Sequence, residues 1–198
     1  MVIATASAKR YTVEELAEFP DDGKRRELVD GQIVTWDVPN VRHNFVQTRL
    51  SHLLTLHVDA HGLGTVLDGD TMVRVANSDY DARGADIAFY ADGRFPDDVD
   101  APATSQAPDF VIEVLSPSDR AADVQDKVRD WLRTGVRLLW YVNAQSGSTV
   151  VYRRDHFHHV DPDDPLTGDD VLPGFRVRLR EILNRLAALK LQEDIPRQ

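Results

Sequence analysis

The stretch APDFVIEVLSPSDR, residues 107–120, places an acidic residue inside an apolar run. The run FVIEVL, residues 110–115, is short, lies between two prolines and is typical of a strand buried on both faces. Alternate side chains of a strand point to opposite faces, so Glu113 shares a face with Val111 and Leu115. A carboxylate in such a place is costly unless a partner satisfies it. The sequence therefore predicts a buried strand whose central acid has a partner or a function.

The composition describes a chain that can bury one core. With 198 residues, 42% of them hydrophobic and 28% charged, it predicts a single domain at residues 11–190. We expect a flexible segment at 1–10 and a C-terminal tail at 191–198 to flank it. No apolar run approaches the roughly 18 residues of a membrane span, so no membrane partner is expected. The absence of cysteine is compatible with a cytoplasmic location.

The formal net charge of -10 bears on the class of ligand. A protein that binds nucleic acid through its phosphates usually carries a basic patch, so the overall charge counts against nucleic-acid chemistry. Any such binding must depend on local clusters of arginine and lysine.

Hydrophobic periodicity predicts an α/β fold. A helix between two strands is expected to be a crossover, which gives a mixed central sheet with helices on its faces. The segment 156–175 is polar, shows no periodicity and is predicted to be a connection. Helical patterns occur at 11–18, 41–60, 118–134 and in a basic closing segment at 176–191; strand patterns occur around the Asp30-Gly31 turn and at 64–67, 71–75, 85–90, 110–115, 136–142 and 149–152.

Two acids interrupt apolar strands, and these are the first candidates for a site. Asp86 lies in GADIAFY and Glu113 in DFVIEVL. Consecutive strands are usually neighbours, so the two carboxylates are expected to converge, where they would repel each other unless a cation joined them. Mg²⁺ binds in this way, through one or two carboxylates together with water and substrate phosphates. The alternative is that each acid pairs with an arginine such as Arg74, Arg83 or Arg120.

A lysine on the following helix is a third candidate. At about 100° per residue, Lys127 lies within roughly 60° of Val124 and so borders the buried stripe of its helix. Its ammonium group could reach the strand that carries Glu113 and steady charge on a phosphoryl group. The alternative, which helix geometry alone favours, is a surface lysine paired with Asp123 or Asp130.

Glu27 and His43 are weaker candidates. Glu27 opens the first strand pair, and by itself it is interpreted as a surface charge beside two arginines. His43 begins the first long helix, where a lone histidine is usually a polar surface residue. The sequence contains no GxSxG, no GxxxxGK[ST] and no HExxH motif, which argues against serine hydrolase, nucleotide kinase and zinc protease classes.

With these residues identified, the chain resembles the Uma-two family of restriction-endonuclease-like proteins, within the PD-(D/E)xK nuclease superfamily. The resemblance extends over residues 11–183, and the combination of its motifs is more specific than any one of them. The motifs are RRELVDGQIV at 25–34, ARGADIAFY at 82–90, APDFVIEVLSPS at 107–118, DVQDKVRDWLRTGV at 123–136 and LLWYVN at 138–143.

The resemblance implies a restriction-endonuclease-like mixed sheet flanked by helices. It also implies a metal site formed by Asp86, Glu113 and the backbone carbonyl of Val114. Leu115 stands where the wider superfamily has the lysine of its ExK motif, and Lys127 is the matching lysine in this family. Glu27 and His43 match an early glutamate and histidine of the family, which adds Glu27 to the catalytic candidates and His43 as a possible accessory residue.

The function implied is Mg²⁺- or Mn²⁺-dependent hydrolysis of DNA phosphodiester bonds, with a homodimer expected because cutting two strands is simplest with two sites. Three positions depart from the family pattern, namely Ala85, Gln32 and Asn143, and none is a proposed metal ligand. The alternative is a non-catalytic nucleic-acid- or protein-binding module that retains the fold, which the acidic charge favours.

Overall fold

The computed structural model describes residues 9–20, 22–116 and 119–193. The helices are α1 (Val13–Ala17), α2 (Val41–His61), α3 (Ala121–Thr134) and α4 (Leu179–Glu193), with a short 3₁₀ helix at Val75–Asn77. The strands are β1 (Arg25–Val29), β2 (Gln32–Trp36), β3 (Gly64–Arg74), β4 (Ala82–Ala91), β5 (Phe110–Leu115), β6 (Leu138–Asn143), β7 (Thr149–Tyr152), β8 (Phe157–Val160), β9 (Leu166–Thr167) and β10 (Arg176–Val177).

One large mixed sheet organises the protein. Its strands lie in the order β2-β1-β4-β5-β6-β7-β8, and β3 pairs with β4 outside this path. Strands β5 and β6 are parallel and are joined by α3, whereas the other pairs of this sheet are antiparallel. The predicted mixed α/β sheet with a helical crossover is confirmed.

The sheet is covered on both faces. Helices α2 and α4 pack on one face, through a stripe that includes Leu50 and Leu54 of α2 and Leu179 of α4. Helix α3 packs on the other face, through Val128 and Trp131. The face that contacts α3 also carries Glu113, because residue 113 alternates with the neighbours that point toward α2.

Strand β4 has one edge that two strands share. Strand β3 pairs with β4 along its whole length, so β1 and β5 must both lie on the opposite edge. Strand β1 pairs there at Ala82 and β5 pairs from Ile87 onward, which leaves residues 83–86 without a strand partner on that edge. Because backbone groups need partners, side chains must complete the hydrogen bonding in this gap.

A β-bulge in β3 lies opposite the gap. The pairing register shifts between Asp68 and Thr71, so Gly69 and Asp70 oppose the single residue Asp86. Both extra residues have positive φ, 77° for Gly69 and 67° for Asp70. The two strands predicted at 64–67 and 71–75 are therefore one strand, β3. The DGD segment between them, residues 68–70, contains its bulge.

Several predicted boundaries need correction. The segment 156–175 is not a plain connection, because it contains β8 and β9; β8 is a sheet-edge strand with mostly exposed residues, so it lacks an apolar alternation. Ser118, where the predicted helical pattern of α3 begins, lies outside the described residues, as do most of the predicted segment 1–10 and tail 191–198. Among the helices that are described, none is long and apolar enough to cross a membrane.

Candidate active site

A cavity of about 260 Å³ opens where β1 and β5 diverge from β4. It extends from the gap beside Asp86 to the first turns of α3. Its walls include Arg25, Trp36, His43, Asp86, Glu113, Val114, Arg120, Lys127 and Tyr141, with Asp37, Asp119 and Asp123 also part of the lining. Four of the five predicted site side chains thus border one cavity, and the fifth, Glu27, lies directly behind Lys127.

Asp86 is 2% exposed and joins two strands. Its Oδ2 accepts a hydrogen bond of 2.7 Å from the N–H of Val114, and its Oδ1 accepts one of 3.2 Å from Nη2 of Arg25. Burial alone would raise the pKa of Asp86, but His43, Lys127 and Arg25 outweigh it and hold the pKa below its usual value. Asp86 is therefore an ionised carboxylate at neutral pH.

Glu113 has a donor on each oxygen. Trp131 donates its indole N–H to Oε1 at 2.8 Å, and Lys127 donates to Oε2 at 2.9 Å. Burial raises the pKa of Glu113 to about 8, since the opposing charge of Lys127 is offset by Asp86 and Glu27. The acid in the apolar strand is thus satisfied by two donors from α3, although burial disfavours its charged form.

Lys127 is buried, and the prediction from helix geometry that favoured a surface lysine is wrong. Its Nζ donates to Oε2 of Glu113 and, at 2.8 Å, to the carbonyl of Gly84, and it lies 3.0 Å from Oε1 of Glu27. Burial lowers the pKa of Lys127, but the neighbouring acids outweigh it and raise the pKa above its usual value. Lys127 is therefore a fixed internal cation.

Glu27 is also buried, which corrects its interpretation as a surface charge. It accepts a hydrogen bond from the N–H of Gly84 at 3.0 Å and one from Arg83 at 3.0 Å. Burial would raise its pKa, but Lys127 and Arg83 lower it overall. Glu27 and Lys127 together bind the backbone N–H and carbonyl of Gly84, in place of the strand that is missing from this edge of β4.

His43 lies in the same cluster rather than on the surface. The Asn40 side chain caps the start of α2 by accepting from the His43 N–H at 3.0 Å. The imidazole is buried, with Nδ1 at 3.4 Å from the Ser116 hydroxyl and Nε2 at 3.7 Å from Oδ2 of Asp86. The histidine therefore contacts the side of Asp86 that faces β5.

Two residues of the cluster escaped the sequence analysis. The Arg25 guanidinium forms ion pairs with both Asp70 and Asp86. Asp70 reaches the cluster because it lies in the bulge of β3, and burial raises its pKa. A glycine inside a strand pattern, as in DGD at 68–70, is the signal that could have indicated this bulge.

The arginines named as alternative partners of the two acids do not all reach the cavity. Arg120 lines it, whereas Arg83 is buried behind it between Glu27 and Asp130. Arg74 pairs with acids outside the cavity, and so does Arg129. The positive charge at the cavity therefore comes chiefly from Arg25, Arg120 and Lys127.

The donor set suits a hard cation that keeps part of its water. No three histidine or acidic side chains of the described residues are grouped so as to hold a metal by themselves. Among the described residues, each carboxylate oxygen of Asp86 and Glu113 accepts one hydrogen bond, which leaves lone pairs on both groups. Burial is the main cause of the raised pKa of Glu113, and a bound cation would favour its ionised form. Two carboxylates with spare lone pairs fit Mg²⁺, whose remaining ligands are water and phosphate.

Comparison with known proteins identifies the family and the fold. Residues 13–182 match the sequence model of the family described as "Uma2: Putative restriction endonuclease". A crystal structure of "a putative nuclease belonging to DUF820" from Anabaena variabilis ATCC 29413 is similar, with a TM-score of 0.77 and 19% sequence identity. The match covers 88% of this chain and 98% of that one, and at this identity it shows the fold. No curated protein matches the chain. Because the family match extends over most of its length, the chain belongs to the Uma2 family of restriction-endonuclease-like proteins.

Proposed function

We propose that the protein is a metal-dependent endonuclease that hydrolyses DNA phosphodiester bonds. The observation that carries the proposal is the buried ammonium of Lys127, fixed against Glu113 on the wall of the cavity that also contains Asp86. Burying a cation and several acids together costs stability compared with an apolar core. A cluster that is open to a cavity and retains this cost is typical of an active site.

In this proposal, Asp86, Glu113 and the carbonyl of Val114 hold Mg²⁺ or Mn²⁺. When bound, such an ion supplies positive charge to the phosphate and makes a water molecule more acidic. Lys127 orients the attacking water and stabilises charge on the phosphoryl group, because its ammonium is fixed by Glu113, Glu27 and the Gly84 carbonyl. Glu27 acts through Lys127 and is a positioning residue.

Arginines on the cavity wall are suited to bind the phosphates that flank the cleaved bond. Arg120 lies at the start of α3, and Arg25 lies beside Asp86. Arginine binds phosphate oxygens through two parallel N–H donors, which fixes the orientation of the strand. His43 holds Asp86 from the other side and is assigned an accessory role.

A non-catalytic binding module on the same fold is the second candidate. The observation that favours it is the acidic mouth, where Asp37, Asp119 and Asp123 line the cavity of a chain with net charge -10. These acids repel a phosphate backbone unless cations are present.

The test is cleavage of supercoiled plasmid and of single-stranded DNA in Mg²⁺ and in Mn²⁺. We expect Asp86→Asn, Glu113→Gln and Lys127→Met to reduce cleavage by about 100-fold or more, because each removes a charge near the reacting phosphate. Asp109→Asn is the matched control, since Asp109 is a buried acid that pairs with Arg94 and Arg137 away from the cavity.

The control should lose stability but keep its cleavage rate at a temperature where it is folded. An inert wild type, or equal cleavage by all four variants, would contradict the endonuclease and favour the binding module. A homodimer with one cavity for each DNA strand is part of the proposal, and light scattering after size-exclusion chromatography measures it.

A further inference from the structure

Three side chains that line the cavity each carry a buried polar atom without a hydrogen-bond partner among the described residues. The atoms are Nε1 of Trp36, Nε2 of His43 and the hydroxyl of Tyr141. A buried polar group without a partner loses its hydrogen bonds to water on folding, so native proteins contain few of them. Where several border one cavity, the ligand of that cavity is the natural source of the missing partners.

Of the three, Tyr141 is held most rigidly. Trp36 is only partly buried, at the end of the edge strand β2, and Nε2 of His43 lies 3.7 Å from Asp86. Tyr141 is 3% exposed, sits within β6 and packs edge-on against the ring of Tyr152, with ring centroids 6.0 Å apart. Its hydroxyl therefore cannot turn to solvent without moving the strand.

The neighbours of Tyr141 indicate what its hydroxyl can bind. Tyr141 pairs in register with Glu113 on the parallel strand β5. The oxygens of Glu113 already accept from Trp131 and Lys127, and the hydroxyl of Tyr141 contacts neither of them. Burial and the charges of Glu113, Glu27 and Asp86 raise the pKa of Tyr141, so the group stays protonated. A neutral O–H next to the acids is a hydrogen-bond donor, and an acceptor oxygen of a ligand in the cavity would satisfy it.

We propose that the hydroxyl of Tyr141 donates a hydrogen bond to a non-bridging oxygen of the phosphate bound in this cavity. The assignment rests on the proposed function for the identity of the ligand, a phosphodiester of a nucleic acid. It makes Tyr141 a substrate-binding residue beside Asp86, Glu113 and Lys127. It also explains why β6 carries a tyrosine at a position that a phenylalanine would fill without an unpaired hydroxyl.

The chain offers a matched control in Tyr90. Tyr90 is fully buried on the same face of the sheet, and its hydroxyl also has no partner among the described residues. Tyr90 does not line the cavity. Tyr90→Phe and Tyr141→Phe therefore remove the same chemical group from the same layer, one away from the cavity and one beside it.

The experiment compares both variants with the wild type by thermal melting and by binding. Without ligand, both variants should melt about 2–4 °C above the wild type, because each loses an unpaired buried hydroxyl. The binding probe is a fluorescein-labelled single-stranded oligodeoxynucleotide with ordinary phosphodiester linkages, which keep both non-bridging oxygens, and its anisotropy is measured in Ca²⁺, a cation that also takes oxygen ligands. We expect Tyr141→Phe to bind it about tenfold more weakly, since hydrogen bonds to charged groups are worth more than neutral ones. Tyr90→Phe should bind it like the wild type.

Equal affinity of Tyr141→Phe and the wild type would overturn the assignment, and so would a wild type that does not bind the probe. A fall in the melting temperature of Tyr141→Phe would do the same, because it would show that the hydroxyl has a structural partner. Cleavage of the same oligonucleotide is measured in parallel in Mg²⁺. If binding depends on Tyr141 but nothing is cleaved, the assignment of Tyr141 holds and the endonuclease proposal fails.

Discussion

Replacing Lys127 by methionine tests whether the cluster depends on one internal cation. Methionine keeps most of the volume and the apolar stem but removes the ammonium. The substitution removes the ammonium contacts to Oε2 of Glu113, Oε1 of Glu27 and the carbonyl of Gly84, which measure 2.9, 3.0 and 2.8 Å, although Oε1 of Glu27 keeps the N–H of Gly84. Arg83 still contacts Glu27, and Trp131 still contacts Glu113.

The expected loss of stability follows from this geometry. Removing one partner of a buried ion pair costs about 3–5 kcal/mol, because the remaining charge is left buried and uncompensated. For a chain of this size, that lowers the melting temperature by at least about 6 °C. Urea unfolding followed by circular dichroism at neutral pH gives the free energy directly.

A double variant and a control make the result specific. Lys127→Met with Glu113→Gln should be more stable than Lys127→Met alone, since glutamine, unlike a glutamate whose pKa is raised to about 8, neither buries a charge nor takes up a proton on folding. Lys24→Met should change stability by no more than about 0.5 kcal/mol, because Lys24 forms an exposed ion pair with Asp22 at 3.4 Å. A loss below about 1 kcal/mol for Lys127→Met, or no recovery in the double variant, would refute the buried-cation argument.

Three further predictions follow from particular contacts. Mg²⁺ should raise the melting temperature of the wild type but not of Asp86→Asn, because an ion that binds only the folded state stabilises it by mass action, as differential scanning fluorimetry can show. Burial, reinforced by the charge of Asp109, raises the pKa of Tyr90. Above about pH 10 the unfolded chain therefore releases a proton that the folded chain retains, and the free energy of unfolding falls as pH rises. In urea titrations the wild type should lose up to about 1.4 kcal/mol per pH unit relative to Tyr90→Phe. Gly64→Ala should lower the free energy of unfolding by about 3 kcal/mol or more, because φ is 140° and the added Cβ would lie 2.0 Å from the Tyr90 carbonyl oxygen. Gly93→Ala is the control: φ is 73° and no atom lies within 4 Å of the added Cβ, so the loss should be about 1–2 kcal/mol in the same assay.

The acids of the cluster could be found from the sequence because they break a local pattern. Asp86 and Glu113 each interrupt an apolar strand, and neighbouring strands bring such residues together. Lys127 breaks no pattern, since a lysine at the border of a helix stripe is usually exposed. Only the resemblance to a family indicated its place, and its burial depends on acids contributed by β1 and β5.

The rest of the cluster depends on long-range pairing that the sequence does not show. The sequence alone predicts that Glu27 is exposed. Its carboxylate reaches the N–H of Gly84 because β1 and β5 lie on the same edge of β4. Arg25 and Asp70 meet only because β3 is bulged opposite Asp86. Strand β8 was missed because an edge strand with exposed side chains has no periodicity.

The gap in β4 gives most of the candidate catalytic residues a structural task. Glu27 and Lys127 satisfy the backbone of Gly84, and Asp86 satisfies the N–H of Val114. These side chains replace sheet hydrogen bonds that are lost where β1 and β5 diverge, so they also stabilise the fold. Lost cleavage in their variants therefore counts only when folding is measured as well. No group among the described residues bonds to the hydroxyl of Tyr141, so Tyr141→Phe should raise stability while it lowers binding, a combination that a purely structural residue does not give.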